Sequence, residues 1–136
     1  MKPKQTIEEQ TDRQRYHIQV DVEPAYIPEQ SAPALGRYVF SYTITIHNLG
    51  TVGAQLLSRH WQIKDAEDRL QEVHGEGVVG TQPHLSPGES FQYTSGVILD
   101  SAVGTMEGKY DMVADDGHEF SAEINTFVLT MPHTLH

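Results

Sequence analysis

Three glycines, Gly75, Gly77 and Gly80, spell GxGxxG and make the first candidate for chemistry, a loop that would hold an anion. In a dinucleotide-binding fold such glycines follow a strand and open a helix whose N-terminus meets the pyrophosphate. Here Pro83 and Pro87 come next, so no helix can run on from the loop. Between Arg69 and Lys109 there is no lysine or arginine, and Glu76 sits inside the motif. Backbone amides alone can form an anion nest, but nothing cationic in that stretch would assist it. The residues favour a structural loop, with Gly75, Gly77 and Gly80 kept as the candidate anion site.

Eight histidines raise metal chemistry next. His133 and His136 stand three apart, and Asp115, Asp116 and His118 cluster at one turn. Imidazole and carboxylate suit a divalent ion, but a specific site needs several ligands fixed by a supporting shell. Chain ends and hairpin tips do not supply that, so no metal site is expected. Nucleophilic catalysis has less support. There is no cysteine and no GxSxG, and Ser95 is a strand residue beside Gly96. Asp115 and Asp116, adjacent in a tight turn, would diverge rather than flank a substrate. The expectation is a protein without catalytic residues and without a cofactor.

The elements that must position these residues read as strands. Residues 16–27, YHIQVDVEPAYI, alternate with Ile18, Val20 and Val22 on one face. Pro24 and Pro28 place them at an edge or a bend. In RYVFSYTITIHN, Tyr38, Phe40, Tyr42, Ile44 and Ile46 share a face. AQLLSRHWQIKD puts Leu57, Arg59, Trp61 and Ile63 in one phase, read as inward with the arginine at the rim. AEDR is a turn and LQEVHG a short strand; SFQYTSGVIL follows the central loop with Phe91, Tyr93 and Val97 in phase. TMEGKYDMVA alternates through Met106, Tyr110 and Met112, and Asp116-Gly117 suits a two-residue hairpin connection. The last strand changes phase between Ile124 and Phe127, which predicts a bulge near Asn125. Seven strands without a convincing amphipathic helix predict an all-β, antiparallel, seven-stranded sandwich of the immunoglobulin or fibronectin type III kind.

The 136 residues suit one domain, residues 16–136, preceded by a flexible N-terminal arm, residues 1–15, in which no period is sustained. Nine Lys and Arg against nineteen Asp and Glu give −10, and from Tyr16 onward the balance is −11. So acidic a body repels nucleic acid and anionic membrane. No apolar run approaches the ~20 residues of a spanning helix, and the first residues have no apolar core of a secretory signal. Cysteine is absent, so the expected compartment is the cytoplasm. What remains for function is surface: an edge strand or loop cluster that takes a protein partner, and an unpaired edge that permits a homodimer.

The chain resembles the ApaG family in several long motifs: YVFSYTITIHNLG, LLSRHWQI, EVHGEGVVGTQPHLSPGESFQYTSG, GTMEGKY and the FVL of the last strand. The resemblance runs from about Tyr16 to Met131. It implies a fibronectin type III or immunoglobulin-like sandwich, an association with cobalt tolerance and magnesium efflux, and a protein-binding role. The last follows from similar domains in eukaryotic F-box proteins and a polymerase-interacting protein. The family's GxGxxG, matched by Gly75, Gly77 and Gly80, has been likened to a pyrophosphate-binding motif. Family members commonly carry Ile-Pro before the final Phe, where this chain has Ile124 followed by Asn125.

Overall fold

A computed structural model describes residues 7–132, with side chains from residue 11. His133 and His136 therefore lie outside the described residues. The first element is a helix, α1 (Ile7–Arg15), followed by β1 (Ile18–Tyr26), β2 (Tyr38–Asn48), β3 (Ala54–Asp65) and β4 (Leu70–Glu76). After these come the two-residue β5 (His84–Leu85), then β6 (Ser90–Leu99), β7 (Val103–Ala114) and β8 (Glu119–Thr130). The seven long strands form two antiparallel sheets, β1-β2-β6 against β4-β3-β7-β8, with β5 paired to β3. This is the fibronectin type III connectivity the alternation predicts.

Burial follows the predicted faces closely. Phe40, Tyr42, Ile44 and Ile46 of β2 are buried, as are Met106, Tyr110 and Met112 of β7 and Ala122, Ile124 and Leu129 of β8. β1, which contains Pro24, is an edge strand paired only with β2. Pro87 and Gly88 (φ 87°) form the centre of the turn closed by Glu89 N–H to Ser86 O. The bulge near Asn125 is present: Met106 pairs with Phe127 while Gly108 pairs with Ile124.

Four expectations are corrected. Residues 7–15, within the arm where no period was sustained, form a helix, and Arg13 and Arg15 sit in its last turn, where they complement the helix dipole. The end of α1 is pinned: Thr51 N–H donates to Arg15 O, and the Tyr16 ring stacks on His118 while its hydroxyl donates to Asp116 at 2.6 Å. In β3 a register shift between Leu56 and Ser58 changes the phase, so Leu56 is buried and Leu57 only half-buried, while Trp61 and Ile63 point inward as read. The hairpin at residues 114–118 is a four-residue turn closed by Gly117 N–H to Ala114 O, with Gly117 at φ 87°. A two-residue Asp116-Gly117 connection would have left Asp115 in the strand. The fourth is β5, which the sequence reading placed within a loop.

At the centre of the core the two sheets meet through a hydroxyl pair. Tyr93 Oη of β6 and Tyr110 Oη of β7 are 2.5 Å apart, and Tyr110 is fully buried. Burial pushes the Tyr93 phenol up to about 12 and raises Tyr110 further. Raised phenol values stabilise the fold below the unfolded-state value of about 10, and that contribution is lost as pH rises through the folded values. Thermal unfolding followed by circular dichroism should thus fall steeply above about pH 10, and less steeply in Tyr93→Phe/Tyr110→Phe. At neutral pH Tyr110→Phe alone, which leaves the Tyr93 hydroxyl without its partner, should cost about 1–3 kcal/mol, and the double variant should lie nearer the parent.

Candidate functional site

The sandwich is closed on one side and open on the other. β1 packs against β8, whereas β4 and β6, the two remaining edges, share no pairing and leave a seam between them. A cleft of about 590 Å³ follows this seam, lined by Arg37, Arg59, Trp61, Val73, Ser95, Val97 and Ile98 among others. A smaller hollow of about 290 Å³ continues it, sharing Tyr42, Arg59, Trp61 and Ser95 and reaching Val79 and Gly80. The GxGxxG loop is thus the end wall of a groove.

Arg59 explains the loop's first glycine. A Cβ on Gly75 would lie 2.6 Å from the Arg59 Cζ, so the guanidinium rests directly against the β4 backbone. Its Nη1 donates to Glu76 O at 3.1 Å and Gly77 O at 2.9 Å. The sequence showed nothing cationic in that stretch, but a cation reaches the loop from β3, sixteen or more positions away, and it binds the loop's carbonyls. Three of the loop's amides are committed too. Gly77 N–H donates to Leu57 O, Val78 N–H to Thr81 O and Thr81 N–H to Val78 O. Gly77 (φ 63°) leaves no room for a side chain, since a Cβ would come 2.2 Å from Thr81 O. The three glycines thus close a tight, internally bonded loop on the arginine, and no helix follows them.

Around the groove the charge and polarity run against the rest of the molecule. Among the described residues neither Arg37 nor Arg59 has a carboxylate within ion-pair distance; the arginine that does, Arg69, faces Asp65, Glu67 and Asp100 at one end. Leu70, Val79 and Ile98, all more than half exposed, lie along the same seam and its continuation past Arg69. Trp61 is held at the floor by edge contacts with Tyr42 and Phe127 at 5.4 and 6.0 Å.

Several polar clusters escaped the sequence reading because they are made across strands. On the outer face of β1-β2-β6, His47 bridges Asp21 Oδ2 at 2.9 Å and Ser90 Oγ at 2.8 Å. This has the residue types of a nucleophilic triad, but it stands on an exposed sheet face. On the outer face of the other sheet, His60 joins Asp111 and His74. His84 joins Asp115 at 2.8 Å, while Asp116 turns to Tyr16, so the aspartates diverge as expected. Among the described residues no group of three or more His, Cys, Asp or Glu is arranged to hold a metal ion.

Comparison with known proteins places the chain among relatives along nearly its whole length. The ApaG domain family model matches residues 28–114. Protein ApaG of Thiobacillus denitrificans is 60% identical over 122 residues, covering 90% of this chain and 96% of that protein. Protein ApaG of Xanthomonas campestris is 56% identical over 125 residues, covering 92% and 98%. A crystal structure from Bordetella pertussis, 51% identical, superposes with a TM-score of 0.87 over 89% of this chain and 98% of that one.

The loop geometry makes a ranked prediction for thermal or urea unfolding. Gly77→Ala, which combines a left-handed backbone with a backbone collision, should cost more than about 3 kcal/mol. Gly80→Ala has the same backbone sign (φ 80°) but open space around it, and should cost about 1–2 kcal/mol.

Proposed function

The chain belongs to the ApaG family, and from that premise we propose that it is a non-enzymatic interaction module whose seam between β4 and β6 takes an extended, acidic segment of a protein partner. The observation that carries this reading is the seam itself. Two unpaired strand edges flank a groove with an apolar floor and two arginines that have no carboxylate partner among the described residues. An extended segment can satisfy an open edge by adding main-chain hydrogen bonds, while its side chains fill alternate pockets. Arg37 and Arg59, set in a chain of net charge −10, favour a carboxylate-bearing segment and steer its approach.

In this reading the family's association with cobalt tolerance and magnesium efflux arises through the partner, with the protein influencing divalent-cation balance indirectly. The net charge weighs against nucleic acid and anionic membrane as partners; among the described residues no helix is long and apolar enough to cross a membrane. The cytoplasm is the compartment we propose. A second copy of the chain pairing at the same edge is the homodimer alternative.

The test compares affinity capture by the intact chain with capture by Arg37→Glu and Ile98→Glu, both exposed positions on the seam, and by His47→Ala on the far sheet. A partner retained by His47→Ala, lost with both seam variants, and mapped by cross-linking to an acidic segment is the expected result. Equal retention by the seam variants would move the interface elsewhere, and a concentration-dependent dimer in sedimentation that the seam variants abolish would favour self-pairing. A nucleotide reading draws on Arg59 beneath the glycine loop. It predicts saturable heat on titration with ATP that Arg59→Gln removes; the carbonyl-directed guanidinium leads us to expect none.

A further inference from the structure

His60 and His74 stand directly opposite each other on β3 and β4. Their rings meet edge-on with Nδ1 facing Nδ1 at 2.5 Å. Two imidazole nitrogens aimed at one point can share a proton, or they can share a cation. The other nitrogen of His60 decides which lone pair is available. Nε2 lies 2.5 Å from Asp111 Oδ2, and an ionised carboxylate only accepts, so Nε2 carries the hydrogen and Nδ1 of the neutral ring is bare. Asp111 is itself held: Ser58 Oγ donates to its Oδ2 at 2.8 Å.

We propose that His60 and His74 chelate a borderline-soft divalent ion of the first transition row through their Nδ1 atoms. Asp111 fixes the His60 ring from behind, the carboxylate–histidine–metal arrangement that recurs behind protein-bound ions. Ligation at about 2.0–2.1 Å from each nitrogen needs the two Nδ1 atoms about 3.3 Å apart in tetrahedral geometry. His74 is exposed on the edge strand and can swing by that amount. Only two protein ligands converge, so water fills the remaining positions. The hollow beside the pair is lined by Glu72, Glu107 and Glu123 against one cation, Lys109, so its surroundings favour positive charge. Imidazole nitrogen selects Zn²⁺, Ni²⁺ or Cu²⁺ over the oxygen-seeking Mg²⁺. The site shares no ligand with the residues 115–118 cluster or with His133 and His136.

The test titrates Zn²⁺ into the full chain carrying His133→Ala and His136→Ala, which removes the C-terminal imidazoles, with heat and the ¹⁵N shifts of the histidine rings as readouts. We expect one saturable equivalent of Zn²⁺ that moves the Nδ1 resonances of His60 and His74, and no response to Mg²⁺. His74→Ala, at an exposed position, should keep the parent melting temperature and weaken binding at least tenfold, and Asp111→Asn should weaken it by about tenfold. His47→Ala and His84→Ala, which remove the other two Asp-paired imidazoles, should change nothing. The proposal is overturned by absence of saturable binding, by binding that His74→Ala leaves intact, or by losses as large in the His47 or His84 controls.

Discussion

The hydroxyl pair between Tyr93 and Tyr110 sets the terms for the rest of the sandwich. Each sheet contributes one phenol to the interior, and each phenol has the other as its partner. A buried hydroxyl without a partner carries its full desolvation penalty, so the sheets are held at one spacing and one lateral offset where the two oxygens meet. Leu56, Trp61, Met106 and Met112 pack around that fixed spacing. With β1 against β8 on one side, the offset leaves β4 and β6 apart on the other. Arg59 sits above this pair, close enough for its charge to act on both phenols. It lines the seam and anchors the glycine loop at its end.

The strand pattern was legible because alternation is local. A run such as Tyr38, Phe40, Tyr42, Ile44, Ile46 needs no knowledge of its neighbours to show its inner face. What was illegible depends on distant parts of the chain. The extra residue at Leu57 is accommodated because β7 runs past β3 with a register shift, and nothing in LLSRHW marks the place. β5 is a strand only because Ala54 and Gln55 lie beside it. α1 is short, and its end is held by contacts with residues 50–51 and 116–118 rather than by an apolar stripe of its own.

The glycine loop illustrates the same division. Its spacing was visible, and so was the obstacle the prolines place in the way of a following helix. The reason for Gly75 was not, since it lies in a guanidinium from the neighbouring strand. The His60–His74 pair, by contrast, was within reach. The AEDR turn pairs Lys64 with Leu70, and counting back four residues along β3 and on four along β4 sets His60 against His74. A hairpin register is a prediction about side-chain neighbours as well as about hydrogen bonds. Spacing along the sequence alone directed attention to the terminal and hairpin histidines instead.

Alternation along β3 gives the molecule two faces of opposite character from adjacent residues. Arg59 points into the seam, where it and Arg37 face apolar walls; His60 points outward, among Glu72, Glu107 and Glu123. Their cross-strand partners are adjacent as well, Gly75 under the arginine and His74 beside the histidine. β4 is both the wall of the groove and the carrier of the second imidazole, and as an edge strand it has a partner on one side only. An ion between His60 and His74 would tie that strand to β3 one residue from the point where the guanidinium rests on it.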